Sequence, residues 1–319
     1  MAKDQPRYHT LSRHLRETFG CKVYKLSVDA GFTCPTRDGT KGVQGCIYCD
    51  ARGSGACHIR GETLDEQIEQ GIAFARKRYG APKFIVYFQA FTNTYAPVEQ
   101  LAALYDKALA YPDVVGLSIG TRPDCVPDSV LDLIADYART HYVWTEYGLQ
   151  SARDDTLKAI HRGHTVAEFV DAVQRTKARH ILTCAHIMLG LPGESPADMM
   201  ATADLLADLD LDGIKIHPTY VSKDTVLEEM YEQGSFAPLA MLTYAERCCD
   251  VLERLPEHMV VQRITGEAPQ DVLVAPEWCL AKRDVLEAIH AELVQRDSWQ
   301  GKKRPSTRER RQRPAGLRA

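Results

Sequence analysis

The stretch GFTCPTRDGTKGVQGCIYCDARGSG (31–55) carries three cysteines at a spacing that indicates a metal centre, around which the rest of the fold can be placed. Cys34 is followed by eleven residues, then Cys46, two residues and Cys49. The short Cys46–Cys49 spacing lets two thiolates reach one metal centre, and the glycines before it let the chain fold sharply around a bulky group. Three thiolates leave one position of a [4Fe–4S] cluster without a protein ligand, so that one iron is open to a small molecule.

Zinc is the main alternative on spacing alone. A structural zinc site usually has four protein ligands, and Cys57 or His58 is available as the fourth. A thioredoxin-like redox pair is disfavoured, because Cys46 and Cys49 lie in a Gly-rich loop and do not open a helix. Five other cysteines lie in helical, strand-like or apolar settings typical of inert residues: Cys21, Cys184, Cys248, Cys249 and Cys279.

Outward from this loop, apolar strand-like runs alternate with amphipathic helix-like stretches. Candidate strands lie at 22–28, 83–89, 114–120, 142–149, 181–189 and 213–219. Candidate helices between them lie at 64–80, 98–111, 128–140, 167–179 and 196–210. Six strands, each followed by a helix, predict a parallel sheet with right-handed crossovers.

A closed eight-stranded barrel would need two more such units. After residue 220 the chain shows helical patterns at 224–233 and 243–255 and one short apolar run, MVVQRI (259–264). The sequence therefore predicts an α/β fold, a partial, open (β/α)6 barrel with a C-terminal helical extension. In such folds the loops at the carboxyl ends of the strands carry the chemistry.

Four segments are predicted along the chain. They are an N-terminal arm (1–20), the barrel (21–270), a C-terminal extension (271–298) and a basic, disordered tail (299–319). Residues 300–319 hold eight Lys or Arg residues and one Glu, although the whole chain has a net charge of −4. Such a tail indicates contact with a polyanion such as RNA, or else a solvated end without a partner.

The bulk composition is that of an ordinary globular protein, with 45% hydrophobic and 26% charged residues among 319. The sequence has no apolar run of about 18 residues, so no membrane span is predicted. The N-terminus lacks the apolar stretch of a secretory signal, and we expect a cytoplasmic protein. In that compartment the ten cysteines are more often metal ligands, redox groups or core residues than disulfides.

The cysteine loop and six further motifs resemble, in order and spacing, the YhcC-like family of radical S-adenosylmethionine (SAM) proteins. That family is related to the radical SAM domain of the elongator catalytic subunit, which acts on tRNA. The further motifs are YFQAFTNTYAP (87–97), GTRPDCVPD (120–128), EYGLQSA (146–152), HRGH (161–164), HIMLGLPGE (186–194) and GIKIHPTYVSKDT (213–225).

The resemblance implies a radical SAM barrel with a [4Fe–4S] cluster on Cys34, Cys46 and Cys49, and it makes zinc a minor alternative. It also implies that SAM binds the open iron and is cleaved to a 5′-deoxyadenosyl radical. The electron would come from a reductase or a flavodoxin-type donor.

The same resemblance suggests where SAM binds. Gln89 occupies the place where related enzymes meet the SAM amino group, and Asn93 follows in the same loop. Thr121 and Asp124 follow the third strand, and Asp124 is a candidate for a ribose hydroxyl. Leu191 lies in LGLPGE, which resembles the segment that packs on adenine. As ordinary residues, Gln89 is a loop polar group and LGLPGE a plain turn.

Polar residues in the later strands are candidates for the remaining roles. Glu146 lies in a run that should be buried, where a carboxylate needs a cationic or hydroxyl-bearing ligand or a salt bridge. Gln150 lies at the exit of the same strand. The fork of Arg162 suits the SAM carboxylate. Lys215 and His217 are the catalytic candidates, since a buried lysine is seldom structural and a histidine can move protons, although His217 is equally a satisfied core residue.

Three functions follow from these observations. The first is a radical SAM enzyme that modifies tRNA at the side chain of a wobble uridine, supported by the elongator relationship and the basic tail. The second is a radical SAM enzyme with a small-molecule substrate. The third is a noncatalytic iron–sulfur or zinc protein that binds RNA, which the cysteine loop alone permits.

Overall fold

Seven parallel strands form one curved sheet in the computed structural model, which describes residues 6–53, 63–266 and 268–304. The strands lie side by side in chain order. They are β1 (Val23–Val28), β2 (Lys83–Phe88), β3 (Val114–Thr121), β4 (Tyr142–Gln150), β5 (Leu182–Leu189), β6 (Gly213–Pro218) and, at the far edge, β8 (Val260–Arg263). A two-stranded antiparallel ribbon pairs β7 (Val221–Ser222) with β9 (Leu273–Ala275).

Helices cover the outer face of the sheet. The described helices are α1 (Leu11–Phe19), α2 (Leu64–Tyr79), α3 (Val98–Leu109), α4 (Asp128–Ala138), α5 (Asp154–Ala159), α6 (Val166–Ala178), α7 (Pro196–Asp208), α8 (Val226–Glu232), α9 (Met241–Leu252) and α10 (Lys282–Gln295). Local chemistry fixes several starts, because Thr63, Thr165 and Ser195 each close a capping box with the residue three positions on.

The predicted open, partial barrel is confirmed, and all six predicted strands form within two residues of their expected bounds. The run MVVQRI adds a seventh strand, since β8 pairs in parallel with β6. Two helices were not predicted. One is α5, which is only six residues long, and the other is α1, which lies inside the expected N-terminal arm.

Helix α1 lies across the amino-terminal end of the barrel. The backbone of Thr10 bridges to Val261 of β8, and the His14 ring lies 2.6 Å from the Tyr142 hydroxyl. Leu11 packs with a small apolar cluster around Trp144 at the same end. The inside of the sheet is therefore approached from the carboxyl ends of the strands, where the cysteine loop follows β1.

The two faces of the sheet have different chemistry. Its outer face and the helices bury the apolar core, for example Val86, Ile119 and Leu149, all fully buried. Polar residues at alternate positions face inward, among them Ser118 and Glu146. This alternation makes the interior of the partial barrel a polar cavity.

The start of the predicted tail is part of the folded body. Gln300 is 3% exposed and donates to the carbonyls of Pro256 and Met259, and Ser298 donates to Glu253. The expected boundary at 299 is therefore too early, because residues 299–304 pack on the end of α9 and on the turn that follows it. The remainder of the tail, and the expectation of disorder for it, lie outside the described residues.

Within the described part of the chain, no helix is long and apolar enough to cross a membrane.

Candidate functional site

One cavity at the carboxyl ends of the strands brings together ten of the thirteen predicted site residues. It is lined by the three cysteines of the loop after β1 and by residues of β2 to β6 and β8 and the loops that follow them. The predicted residues in its wall are Cys34, Cys46, Cys49, Gln89, Thr121, Glu146, Gln150, Arg162, Lys215 and His217.

Tight turns fold the cysteine loop back on itself. The amide of Arg37 donates to the Cys34 carbonyl at 2.9 Å, and that of Cys49 donates to the Cys46 carbonyl at 3.0 Å. Gly45 has a φ of +75° and lies against the Arg37 guanidinium, so a side chain there would meet it at 2.9 Å. The turns hold all three cysteines at one end of the cavity. Cys57 and His58, the candidate fourth ligands of a zinc site, lie outside the described residues.

The sulfur atoms have donors and positive charge around them. Cys34 Sγ lies 2.9 Å from the Thr92 hydroxyl, and Arg162 Nη1 donates to Cys46 Sγ at 3.5 Å. Burial raises the pKa of the Cys49 thiol to about 11, so a bound metal would be needed to hold it as a thiolate at neutral pH. The buried Nη1 of Arg122 has no hydrogen-bond partner among the described residues. Three convergent thiols beside two buried arginines fit an anionic iron–sulfur cluster.

All three guanidinium nitrogens of Arg162 donate hydrogen bonds to protein atoms. Its Nε and Nη2 both donate to the Gly148 carbonyl, at 3.2 and 2.8 Å, while Nη1 reaches Cys46. A Cβ on Gly148 would lie 2.4 Å from Nη2, so only glycine permits this approach. The neighbouring His164 is uncharged, because burial and then the charge of Arg162 lower its pKa to about 3. The arginine therefore ties the end of β4 to the cysteine loop.

A buried carboxylate organises the deeper part of the cavity. Glu146 is fully buried and accepts from Lys25 at 2.5 Å, from Lys215 at 2.5 Å and from His186 at 2.7 Å. The Ser118 hydroxyl donates to it as well. Burial alone would raise the pKa of Glu146, but Lys215 and Lys25 hold it well below its usual value. Of the two interpretations of Glu146, the buried salt bridge is what the structure shows.

Two neighbouring groups have proton affinities far from their ordinary values. Burial lowers the pKa of Lys215 to about 7, although Glu146 opposes the shift. Its ammonium lies 3.9 Å from the centre of the Tyr87 ring. The pKa of His217 is lowered well below its usual value by burial and by the charge of Arg263. Lys215 can thus exchange a proton near neutral pH, and His217 is an uncharged imidazole.

Three predicted site residues lie outside the cavity wall. Asn93 is buried and its amide donates to the carbonyls of Phe88 and Gly120, which braces the loop after β2. Asp124 pairs with Arg122 and Lys41. Leu191 packs in an apolar cluster that includes Ile47 of the cysteine loop, so it supports the cavity from behind.

Sequence reasoning missed Lys25, Tyr87 and Arg263. Tyr87 and Arg263 line the cavity, and Lys25 reaches it through Glu146. A signal for two of them was present, since Lys25 and Arg263 are charged residues inside apolar strand runs. Such residues at inward positions of a sheet are costly unless they have a partner or a ligand.

Family models match most of the chain. Residues 39–206 match the radical SAM superfamily, and residues 211–295 match the radical SAM C-terminal domain. The first of these segments contains Cys46, Cys49 and Arg162, and the second contains Lys215, His217 and Arg263.

Relatives extend the similarity over nearly the whole chain. YtqA of Bacillus subtilis is 44% identical over 301 residues, which is 93% of each protein. YhcC of Escherichia coli K12 is 36% identical over 266 residues, 83% of this chain and 85% of that protein. A more distant relative, the tRNA uridine(34) acetyltransferase of Dehalococcoides mccartyi, is 29% identical over 49% of this chain and 34% of its own length.

The fold also matches a solved structure. The archaeal Elp3 of Methanocaldococcus infernus superposes with a TM-score of 0.66 at 19% identity, covering 87% of this chain and 64% of that one. This chain thus spans less than two thirds of Elp3.

Proposed function

On the premise that this chain belongs to the YhcC-like family of radical SAM proteins, we propose that it modifies tRNA at the side chain of a wobble uridine. Membership of that family makes it an enzyme with a [4Fe–4S] cluster and SAM as cofactors. The noncatalytic RNA-binding alternative is therefore wrong. The observation that supports radical SAM chemistry in this chain is the cavity shared by Cys34, Cys46 and Cys49 and the candidate SAM-binding side chains.

The three cysteines would hold the cluster and leave one iron for SAM. With the cluster bound and reduced by one electron, the site would supply the reductive cleavage of SAM to methionine and a 5′-deoxyadenosyl radical for hydrogen abstraction from the substrate. The electron donor is a reductase or a flavodoxin-type protein. Everything else is done by the residues of this chain, which bind, orient and exclude water.

Gln89, Thr121 and Gln150 are proposed to bind the polar groups of SAM. All three lie in the cavity wall with the cysteines, and Gln89 and Gln150 are partly exposed there. For Arg162 we propose a role at the cluster in place of the SAM carboxylate, because its guanidinium donates to Gly148 and Cys46. It supports a cluster ligand and places a fixed positive charge beside it.

Lys215 and His217 are proposed to accept or donate protons at the substrate. A lysine with a pKa of about 7 can hold a proton on Nζ or release it at neutral pH. His217 lies two residues further along β6 on the same face, and its ring is 5.8 Å from that of His186. Both groups line the same cavity as the cysteines, where a bound substrate would meet them.

Two observations support RNA as the substrate. One is the relationship to a tRNA uridine(34) acetyltransferase. The other is the cluster of basic residues at 300–319. A small molecule is the second candidate, because the charged groups of the cavity wall are mostly buried and could surround a compact ligand.

The test uses anaerobically reconstituted full-length protein with SAM, a reductant and tRNA from a strain lacking the gene. We expect 5′-deoxyadenosine release to rise when this tRNA is added, and nucleoside mass spectrometry to show a new mass at the wobble position. Cys46→Ala should abolish cluster assembly and both products, whereas Cys248→Ala, a buried cysteine of α9 far from the loop, should retain them. If 5′-deoxyadenosine release does not change with tRNA but rises with a cell extract freed of RNA, a small-molecule substrate is favoured.

A further inference from the structure

A basic surface lies at the end of the barrel opposite the cavity, where α2 ends and β2 begins. Residues 76–83 hold four Lys or Arg residues and no acidic residue, although the whole chain has a net charge of −4. Lys22, which precedes β1, adds a fifth cation, because its Nζ donates to the Tyr79 carbonyl at 2.8 Å. Lys22, Phe74 and residues 76–83 form the basic edge surface, named after the edge strand β1 beside it.

The basic edge surface also exposes aromatic rings. Phe74 is 54% exposed and Tyr79 is 38% exposed, and their rings meet edge to face with centroids 5.8 Å apart. Tyr24 of β1 stacks on the Tyr79 ring at 4.9 Å. These contacts hold Tyr79 in place and leave much of the Phe74 ring open to solvent, so that a flat group of a partner can stack on it.

Carboxylates compensate only part of this positive charge. Arg76 pairs with Asp113. Lys22 and Arg78 lie over the Tyr79 ring, with their charged groups 5.4 and 5.8 Å from its centre. Within the described part of the chain, no carboxylate lies within ion-pair distance of Lys77 or Arg78, and both side chains are exposed. The surface therefore presents cations that an anionic partner can reach.

The dipole of α2 explains only part of this arrangement. Cations in the last turn of a helix, such as Lys77 and Arg78, interact favourably with its negative end. That interaction calls neither for an exposed Phe74 nor for cations outside the helix. Lys22 precedes β1, and Lys83 begins β2 with its Nζ 5.6 Å from the centre of the Phe19 ring. Separate elements thus bring cations and rings to one surface.

Cations and exposed rings together favour RNA among anionic partners. Lys and Arg neutralise phosphates and supply most of the sequence-independent affinity for nucleic acids. Exposed aromatic rings stack on unpaired bases, whatever the base. An acidic electron donor would be attracted by the same charge, but it has to approach the cysteine loop, which lies at the opposite end of the barrel.

The position of β1 allows one RNA to contact this surface and the cavity together. β1 is an edge strand of six residues, so its two ends are about 20 Å apart. The cysteine loop follows its carboxyl end, and the basic edge surface lies at its amino end. An RNA that enters the cavity and runs along this edge therefore meets the basic edge surface.

We propose that the basic edge surface binds RNA, with Lys77 and Arg78 on phosphates and the Phe74 ring on an unpaired base. The proposal rests on the proposed function in taking RNA as the partner. It adds a contact that is remote from the cavity and separate from residues 305–319.

The first experiment measures RNA binding without turnover. The full-length reconstituted holoenzyme, with SAM and without reductant, is titrated into a fluorescently labelled tRNA transcript at several salt concentrations. The double variant Lys77→Gln, Arg78→Gln should raise the Kd and flatten log K against log salt by about 1.5 units, because two phosphate contacts are lost. Lys282→Gln, Arg283→Gln is the matched control, since it changes an adjacent, exposed Lys–Arg pair on α10, and it should behave like the wild type.

The second experiment tests the aromatic contact. Phe74→Ala should raise the Kd for a labelled single-stranded oligouridine by about tenfold, because one stacked base loses its partner. The salt slope should not change, since no charge is removed. Leu242→Ala is the control, as Leu242 is a 66% exposed apolar side chain on α9. Thermal unfolding of both variants checks that the fold is intact.

The idea is overturned if the two double variants bind tRNA with the same Kd and salt slope. It is also overturned if Lys77→Gln, Arg78→Gln slows cluster reduction by flavodoxin but leaves RNA binding unchanged, which would assign the surface to the electron donor. Failure of the wobble-uridine assay leaves these measurements unaffected, because they involve no turnover. Conversely, wobble-uridine modification could be confirmed while both double variants bind tRNA equally.

Discussion

Glu146 shows how much one residue decides in this protein. The side chain is fully buried and contacts Lys25, Lys215 and His186. Its negative charge compensates the positive charge of the two lysines. A buried ion pair adds little net stability, because the desolvation of both partners offsets their attraction. Removal of one partner is costly, since the other charge then stays buried without compensation.

Glu146→Gln is therefore expected to destabilise the fold by about 3–5 kcal/mol, measured as the free energy of unfolding in urea. Glu99→Gln, an exposed change on α3, should stay within about 0.5 kcal/mol. Adding Lys215→Met to Glu146→Gln should recover part of the loss, because one uncompensated cation is removed. A loss below about 1 kcal/mol for the single variant would show that the lysines find other partners.

At the scale of elements, the end of β4 and the loop between α5 and α6 meet at the cysteine loop. Lys41 reaches from the cysteine loop to the Gly163 carbonyl, and Ile47 donates to the Ile160 carbonyl. Arg162 crosses the same junction from Gly148 to Cys46. These contacts fix the position of the cysteine loop, with the proposed cluster ligands, relative to the sheet.

Arg162→Gln should shift the reduction potential of the reconstituted cluster to a more negative value, because it removes a positive charge and a donor beside a ligand sulfur. Gly148→Ala should shift it in the same direction with Arg162 still present, since the new Cβ displaces the guanidinium. Spectroelectrochemical titration measures the shift.

Arg153→Gln is the control for this pair, as Arg153 is about half exposed and pairs with Asp155 and Asp198. An unchanged potential in both Arg162→Gln and Gly148→Ala, with full iron content, would remove Arg162 from the cluster environment.

At the scale of the whole molecule, the C-terminal segment has two parts. Residues 298–304 pack on the body through Ser298, Gln300 and the Lys303–Glu253 ion pair. Residues 305–319, with five arginines and one glutamate, lie outside the described part of the chain. The first part belongs to the fold, and the second is the candidate contact with RNA.

Truncation after Arg304 should leave the thermal midpoint unchanged, whereas truncation after Asp297 should lower it, because Ser298 and Gln300 are buried. If all five arginines neutralise phosphates, loss of residues 305–319 should flatten log K for tRNA against log salt by about 3 to 4 units. Binding measured by filter retention at several salt concentrations tests this. Equal tRNA affinity and salt slope in the full-length protein and in the protein truncated after Arg304 would show that the tail is a solvated end.

The partial barrel could be predicted from the sequence alone, and the proposed cluster ligands come from the same source. Alternating apolar runs and helical periodicity are local properties, so the six predicted strands and the longer helices could be located without a structure. The cysteines and the motifs at strand ends could also be recognised, because parallel strands gather their carboxyl ends at one edge. Short elements such as α5 could not be predicted, because six residues show too little periodicity.

Which charged side chains meet depends on the tertiary fold. Lys25 and Glu146 are 121 positions apart, and Arg162 and Cys46 are 116 apart. The two-residue period of a strand says which side chains face inward, but not which of them lie at the same depth or reach across the barrel. That depends on strand order, register and curvature. For this reason the sequence suggested Arg162 for SAM and left Arg263 unnoticed, whereas the fold joins Arg162 to Cys46 and places Arg263 beside Lys215.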